Sequence, residues 1–542
     1  MKKYPVYIVL LIIVFFTSCE KGFLNKAPLD QYSDANVWAD SALTMRFVDN
    51  IYGNIYSIYD DAGNNYQPYA AIPGAGFLPM DITDEGIDRY LSGTPLQINE
   101  GQYNPSTGVY KDIWTGVYKN VRSCNLFLAH MNSMPLSNAL KDRLAAEVKF
   151  LRALNYMQLY SVFGSFPIID TMLTLQSDQL NISRGTDAEC TAFILKDLDA
   201  AAGALPVQYS DPTDLGRATE GAAIGMKCRL LLNMKDYTDA AAAAQAVMNL
   251  GVYSLFAGGY EAMFYPENDD NSEVIFNKEY GSDQSAQVNS IDVYDNSPFF
   301  TGFGSVIDCP TQNIVDEYEM TDGLSWDQSP LYSPAHPYAN RDPRLDASVM
   351  HDSSQWMGQT IDMSLGSAFN PLSQNTPTGY MIRKFLNPNY IFYGNNLNYQ
   401  NCIMLRLAEI YLDYAECELK LGNEEEARKY VNMIRQRPGV DMPPIPAGQL
   451  TWDDYVRERT VELAFEGQRW NDIRRWGMGP QLIGTQIYGM QVQVDPSTSA
   501  RTYNRVLVQK RVFDPKMYYF PIPQDVINKY PAGKVLQQNP GW

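Results

Sequence analysis

RLAEIYLDYAECELKLGNEEEARKYVNMIRQR, residues 406–437, sets the architecture of this chain. Leu407, Ile410, Tyr411, Tyr414, Ala415 and Cys417 recur at helical spacing, and Gly422-Asn423 interrupts them. Ala427, Tyr430, Val431 and Ile434 then form the apolar face of a second helix. A glycine after the last periodic residue stops a helix, and an asparagine before an acidic first turn starts one. The stretch therefore reads as an antiparallel αα-hairpin. Neither helix can bury its stripe alone, so the pair needs neighbours.

The rest of the chain supplies them. Residues 108–131 and 137–163 read as helices, with Trp114, Val117, Val121 and Cys124 on one stripe and Leu144, Val148, Leu151 and Leu159 on the other. Another helix spans 186–205, and a second hairpin spans 217–234 and 237–250. Met234-Lys235-Asp236 matches Leu421-Gly422-Asn423, and Ala240 matches Ala427, so a small residue stands where paired helices must approach. An earlier helix starts at Asp34 or Asn36 and runs to about Tyr59, with Trp38, Leu43, Phe47, Ile51 and Ile55 inward. Residues 452–476 read as one long helix. Residues 60–102 and 251–400 are rich in Gly, Pro, Asn and Asp, with short strand-like pieces at 273–276 and 380–384. Loops this long inside a packed chain point to function.

The N-terminus has a different logic. Two lysines precede an apolar run from Val6 to Phe16, long enough for a signal peptide and too short to span a bilayer. Small residues then lead into Cys19, as at a lipoprotein processing site. The expected organisation is a signal peptide over 1–18, a lipidated tether over 19–35, a helical part over 36–250 holding the loop 60–102, a loop-rich insertion over 251–400, and a C-terminal helical part over 401–542. The chain has 542 residues and a formal charge of −20, with 45% apolar and 19% charged residues. That balance suits a globular protein and argues against a nucleic-acid partner, whose phosphates need Lys and Arg. The remaining cysteines, Cys124, Cys190, Cys228, Cys309, Cys402 and Cys417, form no CxxC pair and are expected as mostly free, buried thiols.

LRLAEIYLDYAECELKLGN, RERTVELAFEGQRWNDIRRW, YYFPIP and QNPGW occur in that order after the lipidation signal. Together they resemble the SusD/RagB family of outer-membrane nutrient-binding lipoproteins, and the likeness covers nearly the whole mature chain. The resemblance implies a mainly α fold: about four tetratricopeptide-like helix pairs supporting a loop-rich subdomain with a few short strands. It implies a location at the cell outer membrane, lipid-anchored at Cys19 and facing outward. It also implies a SusC-like, TonB-dependent β-barrel transporter as partner and an oligosaccharide as ligand, with no enzyme activity, no cofactor and no metal. A peptide ligand in the same transport role, a carboxylate glycosidase and a helical protein-binding scaffold are the alternatives.

Candidate chemistry divides along these lines. Arg459, Glu462, Glu466, Arg469 and Asp472 sit at three- and four-residue steps with mixed sign. Glycosidases face two carboxyls across a cleft. Carboxylates interleaved with arginines on one helix read instead as a salt-bridge ladder. His130, His336 and His351 carry no nucleophile motif around them. Residues 268–271 (NDDN) offer oxygens without the glycine and terminal glutamate of a calcium loop. Arg341-Asp342-Pro343-Arg344 reads as a structural turn. A pyranose presents an apolar face and a hydroxyl rim, so its recognition wants flat rings beside carboxylate, amide or Arg groups. Two loop regions hold both. Asp81, Asp84, Arg89, Tyr90, Tyr103 and Asn104 are the candidates in the first; Tyr294, Trp326, Tyr332, Tyr338 and Trp356 are those in the second.

Overall fold

The computed structural model describes residues 37–60, 79–173, 182–281, 289, 291–302, 306–389, 399–530 and 536–542. The signal peptide, Cys19, the tether, Asp34 and Asn36 lie outside these residues. The long helices, numbered in chain order, are α1 (Ser41–Gly53), α2 (Lys111–His130), α3 (Asn138–Phe163), α4 (Asp187–Ala202), α5 (Glu220–Asn233), α6 (Tyr237–Asn249), α7 (Leu407–Leu421), α8 (Glu424–Arg435), α9 (Trp452–Glu462) and α10 (Arg469–Trp476). The Asp40 carboxylate caps α1, accepting from Leu43 N at 3.0 Å, and the helix ends at Gly53, short of the end expected near Tyr59.

Helices α2 to α8 pack in sequence, each against the next. Residues 251–400 leave the stack after α6 and return to it at α7, which packs directly on α6. The two hairpins turn alike. Lys235 and Gly422 both have left-handed backbones, with φ of +63° and +90°, and Ala240 and Ala427 are fully buried where the helices close. Cys124, Cys190, Cys228 and Cys417 fill this core, and the cysteines among the described residues are all buried and unpaired.

The strands are short: β1 (Gly86–Asp88), β2 (Val274–Lys278), β3 (Asp308–Pro310), β4 (Val349–Met350), β5 (Gln355–Trp356), β6 (Gln359–Thr360), β7 (Met381–Ile382) and β8 (Cys402–Arg406). Strand β2 pairs antiparallel with β8, so the loop-rich part is sewn to the strand that leads into α7. A hairpin that the sequence reading missed, β9 (Gln486–Val494) and β10 (Arg501–Lys510), stands beside it. A second apolar core, including Tyr318, Trp356, Tyr380 and Phe385, gathers these strands and takes in Phe465, Ile487 and Met490 from the C-terminal part.

The long helix expected over 452–476 is two helices. The chain turns between α9 and α10, where buried Phe465 has φ +67° and Gly467 has φ +79°. The turn releases the acidic and basic residues from one helix face, and the expected ladder becomes a lattice between elements. Glu462 accepts from Arg406 at 2.7 Å, Arg437 at 2.9 Å and Arg344 at 3.0 Å. Glu466 binds Arg406 and Lys384, Arg459 binds Asp413 and Asp472, and Arg469 binds Asp84. Asp342 caps the helix Pro343–Ser348 and holds Arg344, so the 341–344 turn is structural, as expected.

Candidate functional site

Strand β1 pairs antiparallel with β3, Gly86 opposite Pro310 and Asp88 opposite Asp308. The contact extends past both strands: Arg89 N–H donates to Ile307 O at 2.8 Å, and Ile307 N–H donates to Tyr294 O at 3.1 Å. Two loop regions some 200 residues apart in sequence thus meet through one backbone. Tyr90 N–H donates to Asp88 Oδ1 at 2.8 Å, and the Arg89 guanidinium lies 4.4 Å from the centre of the Tyr90 ring. The ring is 55% exposed yet braced, which lowers the entropy lost when a ligand stacks on it. Tyr294 is half-buried on the short helix Ile291–Asp295.

Phe299 follows on the next short helix, 46% exposed, 4.4 Å from Phe369 and 5.1 Å from Phe300 between ring centres. Sequence reasoning missed these rings; the signal was the Phe299-Phe300 doublet after Ser297-Pro298 in a loop-rich stretch. Arg89 and Tyr90 at one end of this junction, and Tyr294 and Phe299 on the two short helices at the other, make up a candidate aromatic ledge.

Trp326 and Tyr332 pair at 5.2 Å, both half-buried. Tyr338 lies in a separate cleft of about 440 Å³, lined by His336, Asp346, His351, Arg383 and Tyr503 among others. Its ring stacks on His351 at 4.1 Å and meets the edge of Tyr503 from β10 at 5.8 Å. His351 Nε2 faces Asp346 Oδ1 at 2.8 Å and Nδ1 faces the Asp352 carbonyl at 2.9 Å. Both partners are acceptors, so only the imidazolium donates to both. Asp346 sits below its ordinary range: burial would raise it, but the His351 hydrogen bond and charge outweigh that. Ser354 Oγ donates to the His351 carbonyl and not to the ring, so no serine–histidine relay is assembled.

Trp356 stands between ledge and cleft. It is 2% exposed, its indole N–H donates to Asn296 Oδ1 at 3.3 Å, and Arg383 covers its ring at 5.0 Å. It is a partition wall, not a stacking surface.

Three further expectations meet the same correction. Asp84 is buried in a bidentate pair with Arg469, at 2.9 and 2.6 Å. Tyr103 is 4% exposed, packed against Trp542 at 4.8 Å and Phe520 at 5.6 Å, where the chain's end closes over it. Asp81 is buried beneath the ledge beside Asp88, Asp295 and Asp308. Burial, and then the charge of Asp308, pushes Asp81 and Asp295 well above the usual carboxylate range and Asp88 up to about 6. Burial and mutual repulsion thus favour the protonated form of these carboxyls. Asn104 is exposed, in a turn held to the C-terminal segment through Pro105 O and Gln524 N at 2.8 Å.

The acidic pair that invited a glycosidase reading is unavailable for proton transfer. Glu462 is 0% exposed; burial would raise its pKa, but Arg406, Arg437 and Arg344 carry it far below the usual range. A general acid needs the reverse.

Comparison with known proteins agrees with this architecture. The model of the SusD family matches residues 272–542, half of the chain. A second model, described as starch-binding associating with outer membrane, matches residues 29–232. A SusD-like protein of Formosa agariphila, P25, is 23% identical over 416 residues, 72% of this chain and 74% of that protein. A SusD-like protein of Bacteroides fragilis NCTC 9343 superposes with a TM-score of 0.82 at 29% identity, over 95% of this chain and 100% of that one. A SusD-like carbohydrate binding protein of the same organism gives 0.78 at 26%, over 91% and 98%.

Proposed function

The chain belongs to the SusD family, and from that premise we propose that it is a non-catalytic cell-surface receptor for oligosaccharides. Its glycan lies on the aromatic ledge, with Tyr90, Tyr294 and Phe299 under the sugar faces and Arg89 at the rim. The Tyr338 cleft takes polar groups of the same chain of sugars. Cys19 carries the lipid that holds the protein at the outer membrane, outward-facing, and a SusC-like TonB-dependent barrel receives the cargo. The carbohydrate-binding relative from B. fragilis and the starch-binding family description support the ligand class. The observation that supports the reading is the backbone bonding of both loop regions to Ile307, next to the exposed ring of Tyr90.

The experiment is a glycan array probed with the mature protein, beside a pull-down from native outer membranes. Binding to one glycan class and recovery of a large β-barrel are expected. Recovery of the barrel with binding to peptides and to no glycan would overturn the ligand class. Turnover of chromogenic glycosides would overturn the receptor role.

A further inference from the structure

Arginines in this protein are almost everywhere neutralised. Arg344, Arg406, Arg435, Arg437, Arg459, Arg469 and Arg475 are buried against carboxylates. Arg184, Arg341 and Arg511 lack a carboxylate but are wrapped by backbone carbonyls: Ser165, Phe163 and Gln537; Tyr318, Pro337 and Val315; Asp81, Thr83 and Gly86. Arg474 on α10 is different. It donates to the Ser161 carbonyl and, at 3.0 Å, to Asn471 Oδ1, and its guanidinium lies 4.8 Å from the Tyr519 ring centre. No carboxylate among the described residues approaches it. Its Nε–H and one hydrogen on each Nη have no acceptor among the described residues.

This guanidinium lines a crevice of about 170 Å³ between the helical stack and the start of α10. A closed cavity of roughly 150 Å³ accepts a six-membered ring. The side chains of Gln158, Asn233 and Gln468 line the same crevice and make no hydrogen bond among the described residues; nor does the Asn471 amide nitrogen. Trp470 lines it too, 8% exposed, with an indole N–H that has no partner among the described residues. Helix α10 has no side-chain cap, so the orphan N–H groups of its first turn add partial positive charge on the crevice side. The other charged groups there are satisfied: Glu466 by Arg406 and Lys384, Arg229 by Glu409.

A half-buried cation with no counter-ion among the described residues, in a crevice also lined by amides with no protein partner there, is complementary to an anion that also carries hydroxyls. We infer that this crevice is a second ligand site, distinct from the ledge, for a carboxylate-bearing sugar ring such as a hexuronic acid unit. The carboxylate pairs with Arg474, and the amides of Gln158, Asn233, Gln468 and Asn471 take the ring hydroxyls.

Calorimetric titration of the mature protein with D-galacturonate, D-glucuronate, D-glucose, acetate and phosphate tests it. Uronates are expected to bind, and glucose and the small ions are expected to bind more weakly by about tenfold or more. Arg474→Gln should cost the uronate a similar factor. Asn233→Asp, which changes a side chain with no protein partner among the described residues and so spares folding, should do the same by adding a negative charge to the crevice that repels the anion. Tyr90→Ala should leave uronate binding unchanged. Equal binding of glucose or phosphate, no loss in Asn233→Asp, or loss in Tyr90→Ala would each overturn the proposal. Because the ledge variant is scored separately, failure here is distinguishable from failure of the oligosaccharide receptor.

Discussion

Glu462 shows how a single residue holds the two parts of the molecule together. Its carboxylate joins Arg406 at the end of β8, Arg437 after α8 and Arg344 of the loop-rich part. Removing one member of a buried ionic set leaves its partners charged and unpaired, at a cost of roughly 3–5 kcal/mol. Glu462→Gln should therefore lower stability by about that amount in urea or thermal melts, without revealing or abolishing any turnover. The sign of the pH dependence follows. A depressed folded pKa means that the Glu462 contribution is complete above its ordinary value of 4.5 and is lost as pH falls below it. The acids under the ledge act oppositely. Asp88, raised to about 6, and Glu85, raised to about 8 by burial against the pull of Arg469, both ionise at a cost in the folded state. Their penalty is absent below the ordinary carboxylate range and grows up to the folded values. The melting temperature should peak in mildly acid buffer, near pH 5, and decline toward pH 8. Asp88→Asn, which preserves the acceptor for Tyr90 N–H, should raise the melting temperature more at pH 8 than at pH 5. An increase of equal size at both pH values would contradict this origin.

At the scale of elements, periodicity was the reliable guide. The helix pairs and their turn residues were legible because apolar stripes, capping residues and a left-handed stop repeat at fixed offsets. The break between α9 and α10 was not legible. Glu462 and Glu466 keep helical spacing in sequence, and only the distant Arg406, Lys384 and Arg344 reveal why the chain turns there. The β9–β10 hairpin was also missed: its burial alternates weakly, since one face looks to solvent. Its attachment depends on a close backbone approach. A Cβ on Gly379, which has φ +77°, would stand 2.0 Å from the Met490 carbonyl oxygen, and Met490 N–H donates to Thr378 O at 2.7 Å. Gly379→Ala should cost about 1–3 kcal/mol from the strained backbone. By shifting the hairpin it should also move Tyr503 out of the Tyr338 cleft. Thermal melts report the first effect, and the near-ultraviolet circular dichroism of the tyrosines reports the second. Unchanged stability would show that the hairpin docks by other contacts.

Across the whole molecule, the stack α2 to α8 is continuous although 251–400 is inserted within it, so the loop-rich part is carried on a rigid support. The change of composition at residue 251 was readable in the sequence. Which loop residues face outward was not, because the polar and aromatic candidates are chemically alike. What the fold brings beside Asp84 and Tyr90 decides their exposure: Arg469 seals the first, and Arg89 props up the second. Phe299 and Tyr503 joined the surface through contacts made by elements far away in the chain. The central claim is that the ledge binds the sugar. Its most direct test is isothermal titration of the best glycan from the array against the native protein and a Tyr90→Ala, Phe299→Ala double variant. Both changed residues are exposed, so the variant should melt as the native protein does. Loss of two stacking surfaces, each contributing about 1 kcal/mol, predicts affinity weaker by roughly tenfold or more. Native affinity in a correctly folded double variant would contradict the account.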